Sequence, residues 1–243
     1  MFAIYKKELN GFFSSLTGYI VIGVFLIITG LFMWLFTDTS VIEYSYASLD
    51  TLFYLAPTLF TFLIPAITMK SFAEERQKQT LDLLLTKPLS NYQIILGKYF
   101  AYFTLVIFAI LPTLIYYYSI YQLGAPKGNI DTGVVIGSYI GLIFLAGTFV
   151  AIGIFSSALT KNQVVAFVIA ILLSFLLHWG FDFISRLPVF WGVWDDLVQK
   201  FGIDYHYRSI SKGLIDTKDI IYFVSVIVVF LVFTDYILKK RKH

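Results

Sequence analysis

The sequence predicts an all-α, polytopic membrane fold: six transmembrane helices, an N-terminal interfacial helix, and a short helix on a loop. Three observations lead there. Hydrophobic residues make up 58% of the 243 and charged residues only 14%, with a mean hydropathy of +0.80, whereas a soluble domain carries about 25% charged residues. A chain of this size cannot keep so large an apolar share away from water in a core of its own. Six charge-poor stretches each approach or exceed the roughly 20 residues that cross a hydrocarbon core as a helix. Aromatic residues reach 19%, which suits lipid-facing helices and their ends at the headgroups. The absence of cysteine excludes a disulfide scaffold, a thiolate metal site and a cysteine nucleophile. A net charge of +3 gives no ground for a nucleic-acid partner.

The elements follow in order. Phe2, Tyr5, Leu9, Phe12, Phe13 and Leu16 share one arc of a helix, with Lys6, Lys7, Asn10 and Ser14 off it, so residues 2–16 form an amphipathic helix suited to the membrane interface. Gly11 and Gly18 favour a break before the first span, at about 18–37. Lys6 and Lys7 resemble the start of a signal peptide, but the apolar stretch exceeds the usual length of about 7–15 residues and no A-x-A site follows, so a retained anchor is expected. The remaining spans are predicted at about 51–70, 98–122, 133–158, 162–182 and 219–238, and residues 1–243 form one transmembrane domain. Pro57, Pro65 and Pro112 interrupt spans two and three. Each removes a backbone donor, leaving either static kinks or bending points.

Gly133, Gly137 and Gly141 recur every four residues in span four, with Gly147 and Ala151 extending the small surface. Such a face lets another helix approach closely, within the subunit or across a dimer. Asp235 interrupts span six but precedes Lys239 by four residues, the spacing of a helical ion pair. His178, beside Trp179, reads as an interfacial histidine with a water or backbone partner, and no metal-ligand spacing joins it to His206 or His243. Residues 183–218 form a long outer loop, where Trp191, Trp194, Tyr205 and Tyr207 suggest short helices or re-entrant turns at headgroup level.

The connection at 71–97 is far longer than the 2–8 residues, roughly, that join helices in bundles. Ser71 and Glu74 are spaced as a capping box, although span two can equally run through them as one helix. A polar run at 74–79 follows, then Thr80 and a short apolar helix stopped by Pro88. Ser90 and Gln93 form a second capping-box pattern. Leu81, Leu84 and Leu85 share one face of the short helix. That face either packs on the inner ends of the spans and the lipid, or docks in a groove of another protein.

Lysine and arginine set the orientation. With both termini in the cytoplasm, Lys6, Lys7, Lys70, Arg76, Lys78, Lys87, Lys98, Lys161, Lys239, Lys240, Arg241 and Lys242 lie inside, twelve of eighteen. All four tryptophans then fall at the outer interface.

Phe72-Ala73-Glu74-Glu75-Arg76, Thr80-Leu81, Leu84-Leu85, Pro88, Ser90 and Lys98 resemble the loop of ABC-2 type permeases, the membrane subunits of ATP-driven transporters. His206-Tyr207 and Lys212-Gly213-Leu214-Ile215-Asp216 resemble that family's last outer loop. Tyr5-Lys6-Lys7-Glu8-Leu9, Tyr46-Ala47-Ser48-Leu49-Asp50 and Phe62-Leu63-Ile64-Pro65-Ala66-Ile67-Thr68-Met69 are similar to the gliding-motility permeases of the GldF type. The resemblance implies six spans, an interfacial elbow helix, and a coupling helix that touches the ATPase. It assigns Glu74, Glu75, Arg76, Thr80, Leu81, Leu84, Leu85 and Pro88 to that coupling. It also implies a GldA-like ATPase subunit carrying ATP and Mg, and a GldG-like second membrane subunit or a second permease copy. The location implied is the bacterial inner membrane, with membrane lipid as a further partner and export as the common direction. The chain itself is then no enzyme, and it carries no G-x-x-x-x-G-K-[ST] phosphate loop. The alternative is a structural or regulatory membrane subunit of a motility or secretion complex that moves no solute. An ion-coupled carrier lacks a membrane-centre acid or base, and a membrane enzyme lacks a clustered nucleophile, metal ligands or carboxylate pair within the spans.

Overall fold

A computed structural model describes residues 1–44, 46–81, 84, 89–190 and 192–240. Leu85 and Pro88 of the loop, Lys87, Trp191 and residues 241–243 lie outside the described residues. Among those described, every regular element is helical. In order they are α1 (Phe2–Phe13), α2 (Leu16–Trp34), α3 (Val41–Tyr44), α4 (Asp50–Thr68), α5 (Lys70–Gln77), α6 (Asn91–Ile110), α7 (Leu114–Leu123), α8 (Thr132–Leu159), α9 (Gln163–Phe175), α10 (Phe181–Ser185), α11 (Val193–Gln199), α12 (Ile203–Ser211) and α13 (Thr217–Lys240). Six helical stretches are long and apolar enough to cross a membrane: Leu16–Trp34, Asp50–Gln77, Asn91–Leu123, Thr132–Leu159, Gln163–Ser185 and Thr217–Lys240. The end of the bundle that holds α1, α5 and the close of α13 is termed proximal, and the opposite end distal.

Span four is the axis. Of its most apolar stretch 78% is buried, against 22% for span one and 28% for spans five and six. The reason is its run of Gly, Ala, Ser and Thr, which lets helices close in on several sides. At Gly153 an added methyl group would sit 2.0 Å from Thr68 Oγ1 and 2.8 Å from Thr68 Cβ, so α4 and α8 cross here only because the side chain is absent. Spans one, five and six present apolar side chains outward, among them Ile27, Val168, Leu172 and Val228.

The chain breaks between α1 and α2 at Ser14 and Ser15, where Ser15 Oγ donates to Phe12 O at 3.0 Å. Span two runs on through Ser71 to Gln77, so the pattern at Ser71 and Glu74 is not a cap. The discontinuity at Met69 has a clear origin. Ser157 Oγ of α8 accepts the amides of Phe72 at 2.9 Å and Ala73 at 3.0 Å and donates to Met69 O at 2.8 Å. A side chain inserted into the helical ladder is a recognised cause of a kink. Span three begins at Asn91, seven residues before the predicted start, under the capping box: Ser90 Oγ accepts Gln93 N at 3.3 Å and Gln93 Oε1 accepts Ser90 N at 3.2 Å. The connection therefore shrinks from 71–97 to 78–90.

Pro57 cannot donate to Phe53 O four residues back, and that carbonyl instead accepts the Tyr207 hydroxyl of α12 at 2.8 Å. Span three tightens to a 3₁₀ turn, Leu111–Thr113, around Pro112. Span five passes through a π-helical turn, Leu176–Gly180, and continues to Ser185. The outer segment folds as α11 and α12, and α12 lies across the distal end of α8.

Candidate functional site

The proximal end gathers the charges that the apolar spans exclude. The cap at Ser90 sets the register of α6, which carries Lys98 about two turns inward, where it is 1% exposed. Its ammonium lies 2.8 Å from Glu8 Oε1 and 3.1 Å from Glu75 Oε1 and donates to Ser71 O at 2.7 Å. An ammonium has three protons, and three acceptors meet it. It also stands over the Phe72 ring, 5.0 Å from the centroid. Lys7 reaches Glu75 Oε1 at 3.0 Å and Glu8 Oε1 at 3.7 Å, and Tyr102 OH donates to Glu8 Oε2 at 3.4 Å. Two ammonium groups and two carboxylates thus tie α1, α5 and α6 together with no net charge. Partial burial pulls Lys7 downward, but hydrogen bonding and attraction from Glu75, with Glu8 adding to it, hold its pKa above the ordinary lysine value. A cavity of about 420 Å³ opens beside this cluster, with Phe12, Lys70 and Glu74 also in its wall.

α5 is fastened to span four as well. Besides the three bonds of Ser157, Arg76 Nη1 donates to Ala158 O at 3.0 Å, one of the carbonyls left free at the end of α8. α5 closes in a Schellman arrangement: Thr80 N donates to Glu75 O at 2.8 Å and Gln79 N to Arg76 O at 3.2 Å. Gln79 occupies the left-handed position at φ +58°, a conformation that costs a non-glycine residue about 1–2 kcal/mol.

The residues expected to couple to an ATPase are placed as follows. Glu75 and Arg76 belong to the framework just described. Glu74 pairs with Lys78 at 2.6 Å. Thr80 is exposed, along with Gln77, Lys78 and Gln79. Leu81 turns inward, 5% exposed, into the chain's own core, and Leu84 packs against that core. At least part of the leucine face is thus occupied within the chain. Of the glycines, Gly137 and Gly141 lie under α12: an added methyl at Gly137 would be 2.6 Å from Ile210 O, and one at Gly141 3.3 Å from Ile210 Cγ2. Gly133 meets only Asp131 Oδ1, at 3.3 Å.

Lys7, Glu8, Lys98, Tyr102 and Ser157 escaped the sequence reading as site residues. A signal existed for two of them. Glu8 is the sole acid among the first 37 residues, and Lys98 lies well inside a capped apolar helix. A charge in such a setting needs a partner. Elsewhere, Asp235 pairs with Lys239 at 2.6 Å as the spacing predicts. His178 is packed inside the chain. It is 1% exposed, packed edge-on against Phe149, with Nε2 3.8 Å from Asp204 Oδ1. Burial pushes the Asp204 carboxyl above its ordinary value, and the Arg208 guanidinium opposes that shift. Among the described residues no group of three His, Asp or Glu side chains is arranged to hold a metal ion.

Chemically, the proximal cluster is a joint. It binds the stub of span two to α1 and span three, while Ser157 and Arg76 fasten the same stub to span four. A family model described as ABC-2 family transporter protein matches residues 2–188, from α1 through span five. No curated protein matches the chain at a significant level. With more than three quarters of its length matched by that model, the chain belongs to the ABC-2 family of transporter proteins and is a multi-pass membrane component of an ABC transporter.

Proposed function

We propose that the chain is the permease subunit of an ATP-driven exporter linked to bacterial gliding motility. It works with a GldA-like ATPase that carries ATP and Mg, and with a GldG-like membrane subunit or a second copy of itself. It sits in the inner membrane with both termini in the cytoplasm. The observation that carries this reading is the buried joint around Lys98. Four helices are locked together behind one short exposed turn, Gln77, Lys78, Gln79 and Thr80, which is what a part moved from outside requires. Closure of the ATPase on nucleotide pushes this turn, and the joint passes the motion to spans two, three and four as a rigid-body shift. Leu81, buried in the chain, positions the turn and is not itself the contact. The excess of lysine and arginine on the proximal side supports the orientation.

The test is a photoreactive amino acid placed at Gln79 or at Lys212, with crosslinking in intact cells. The Gln79 variant is expected to capture an ATPase carrying a phosphate-binding loop, and the Lys212 variant none. Capture of that ATPase from Lys212 and not from Gln79 contradicts both the docking surface and the orientation.

A further inference from the structure

The distal end holds a second buried polar joint, which no step of the coupling reading uses. α12 is pinned to three spans. Tyr207 OH donates to Phe53 O of span two at 2.8 Å, Ile210 packs on the glycines of span four, and His206 reaches span six. The His206 ring is clasped on both sides: Nδ1 lies 2.7 Å from Asp219 Oδ1 and Nε2 lies 2.9 Å from Lys200 O. Its face stacks on Tyr222, with 3.9 Å between centroids. His206 is 7% exposed and Asp219 fully buried.

Both ring nitrogens therefore face acceptors. A neutral imidazole has one N–H and one lone pair, so beside a carboxylate it would turn a lone pair against either Asp219 or the Lys200 carbonyl. Two arrangements satisfy the geometry. An imidazolium donates to both oxygens, or a protonated Asp219 donates to Nδ1 while Nε2–H donates to Lys200 O. Each holds one proton more than a neutral imidazole beside a carboxylate. Losing that proton leaves an uncompensated carboxylate in a fully buried position, which is costly.

We propose that His206 and Asp219 form a proton-binding site that latches α12 to span six, closed when the proton is bound and released as pH rises. α12 also rests on spans two and four through the Tyr207 hydroxyl on Phe53 O, the Ser138 hydroxyl on Ser211 O at 3.1 Å and apolar packing, so it stays on those spans while its polar hold on span six through His206 is lost. On the proposed orientation, the proton comes from outside the cytoplasm; the latch itself does not depend on that reading.

The neighbouring charged and titratable groups do not supply the same response. Lys218 pairs with Asp216 at 2.9 Å. Lys200 is paired with Asp196, which holds it above its ordinary value. On α12, Tyr205 lies edge-on to the ring, 5.3 Å from it, and Asp204 is paired with Arg208 at 2.7 Å. His178 faces Asp204 and Tyr207 and is the rival switch among the described neighbours.

Hydrogen exchange of the full chain in lipid nanodiscs tests this, read as protection relative to the intrinsic rate at each pH. For peptides covering 200–222, protection in the parent is expected to fall about tenfold between about pH 6 and about pH 9, with span four unchanged. Asp219→Asn places an amide N–H where the protonated carboxyl would donate, so it should stay protected at both pH values. His206→Phe keeps the stack on Tyr222 but donates nothing, and should be unprotected at both. His178→Gln should respond like the parent. A parent with pH-independent protection, an Asp219→Asn variant that retains the parent's response, or loss of that response in His178→Gln overturns the proposal.

Discussion

At the scale of single residues, the proximal joint depends on Lys98. Its three protons are matched by Glu8, Glu75 and Ser71 O, and its carboxylate partners need it in turn. Lys98→Met keeps much of the volume but leaves two carboxylates facing each other beside the exposed Lys7. Removing one partner from a buried ionic cluster typically costs about 3–5 kcal/mol. Denaturation of the purified protein in micelles should show a loss of that order, and adding Glu75→Gln to Lys98→Met should recover part of it by removing the repulsion. A loss below about 1 kcal/mol, the range of surface pairs, would mean that Lys98 is solvated. In the sequence this lysine stands out as a charge inside a capped apolar helix, but the identity of its partners does not. Its carboxylate partners lie 90 and 23 positions away, and burial is a tertiary fact that a charge tally cannot carry. The same holds for Ser157, a small residue among many in span four until Phe72 and Ala73 point their amides at it.

At the scale of elements, helix identity and most boundaries could be read from hydropathy and caps, because an apolar helix must satisfy its own backbone in lipid. Of the stripe at Gly133, Gly137 and Gly141, the last two meet α12 and Gly133 does not, because fixed spacing follows one face only briefly. Sixteen residues on from Gly137, Gly153 points about 160° away at 100° per residue, toward α4 and not α12, and periodicity missed it. Substitution separates these sites. Gly137→Ala sets a methyl 2.6 Å from a backbone oxygen, and Gly153→Ala sets one 2.0 Å from Thr68 Oγ1. Both should lower the thermal midpoint in detergent, in line with overpacking costs of about 1–3 kcal/mol or more. Gly133→Ala should be neutral or gain up to about 1 kcal/mol from helix propensity. Equal effects at all three sites would contradict the crossings. The loop was harder to read: leucines at helical spacing look alike whether they face the chain's own core or another protein's groove, and Leu81 faces the core.

At the scale of the whole molecule, one central span carries three peripheral ones whose outer faces are apolar, with an ionic joint at the proximal end and the buried His206–Asp219 pair at the distal end. On the proposed reading, free energy from the ATPase enters at residues 77–80 and crosses the proximal joint to reach the spans. ATP hydrolysis by the partner ATPase, reconstituted with this permease in proteoliposomes, measures that transfer. Glu75→Gln preserves the side chain's shape while removing the charge that Lys7 and Lys98 share, so the ATPase should still bind. Coupling through the joint predicts that the parent stimulates hydrolysis and that Glu75→Gln reduces the stimulation about tenfold, equivalent to about 1.4 kcal/mol of coupling free energy. Stimulation by Glu75→Gln equal to the parent's, at equal ATPase occupancy, would contradict it.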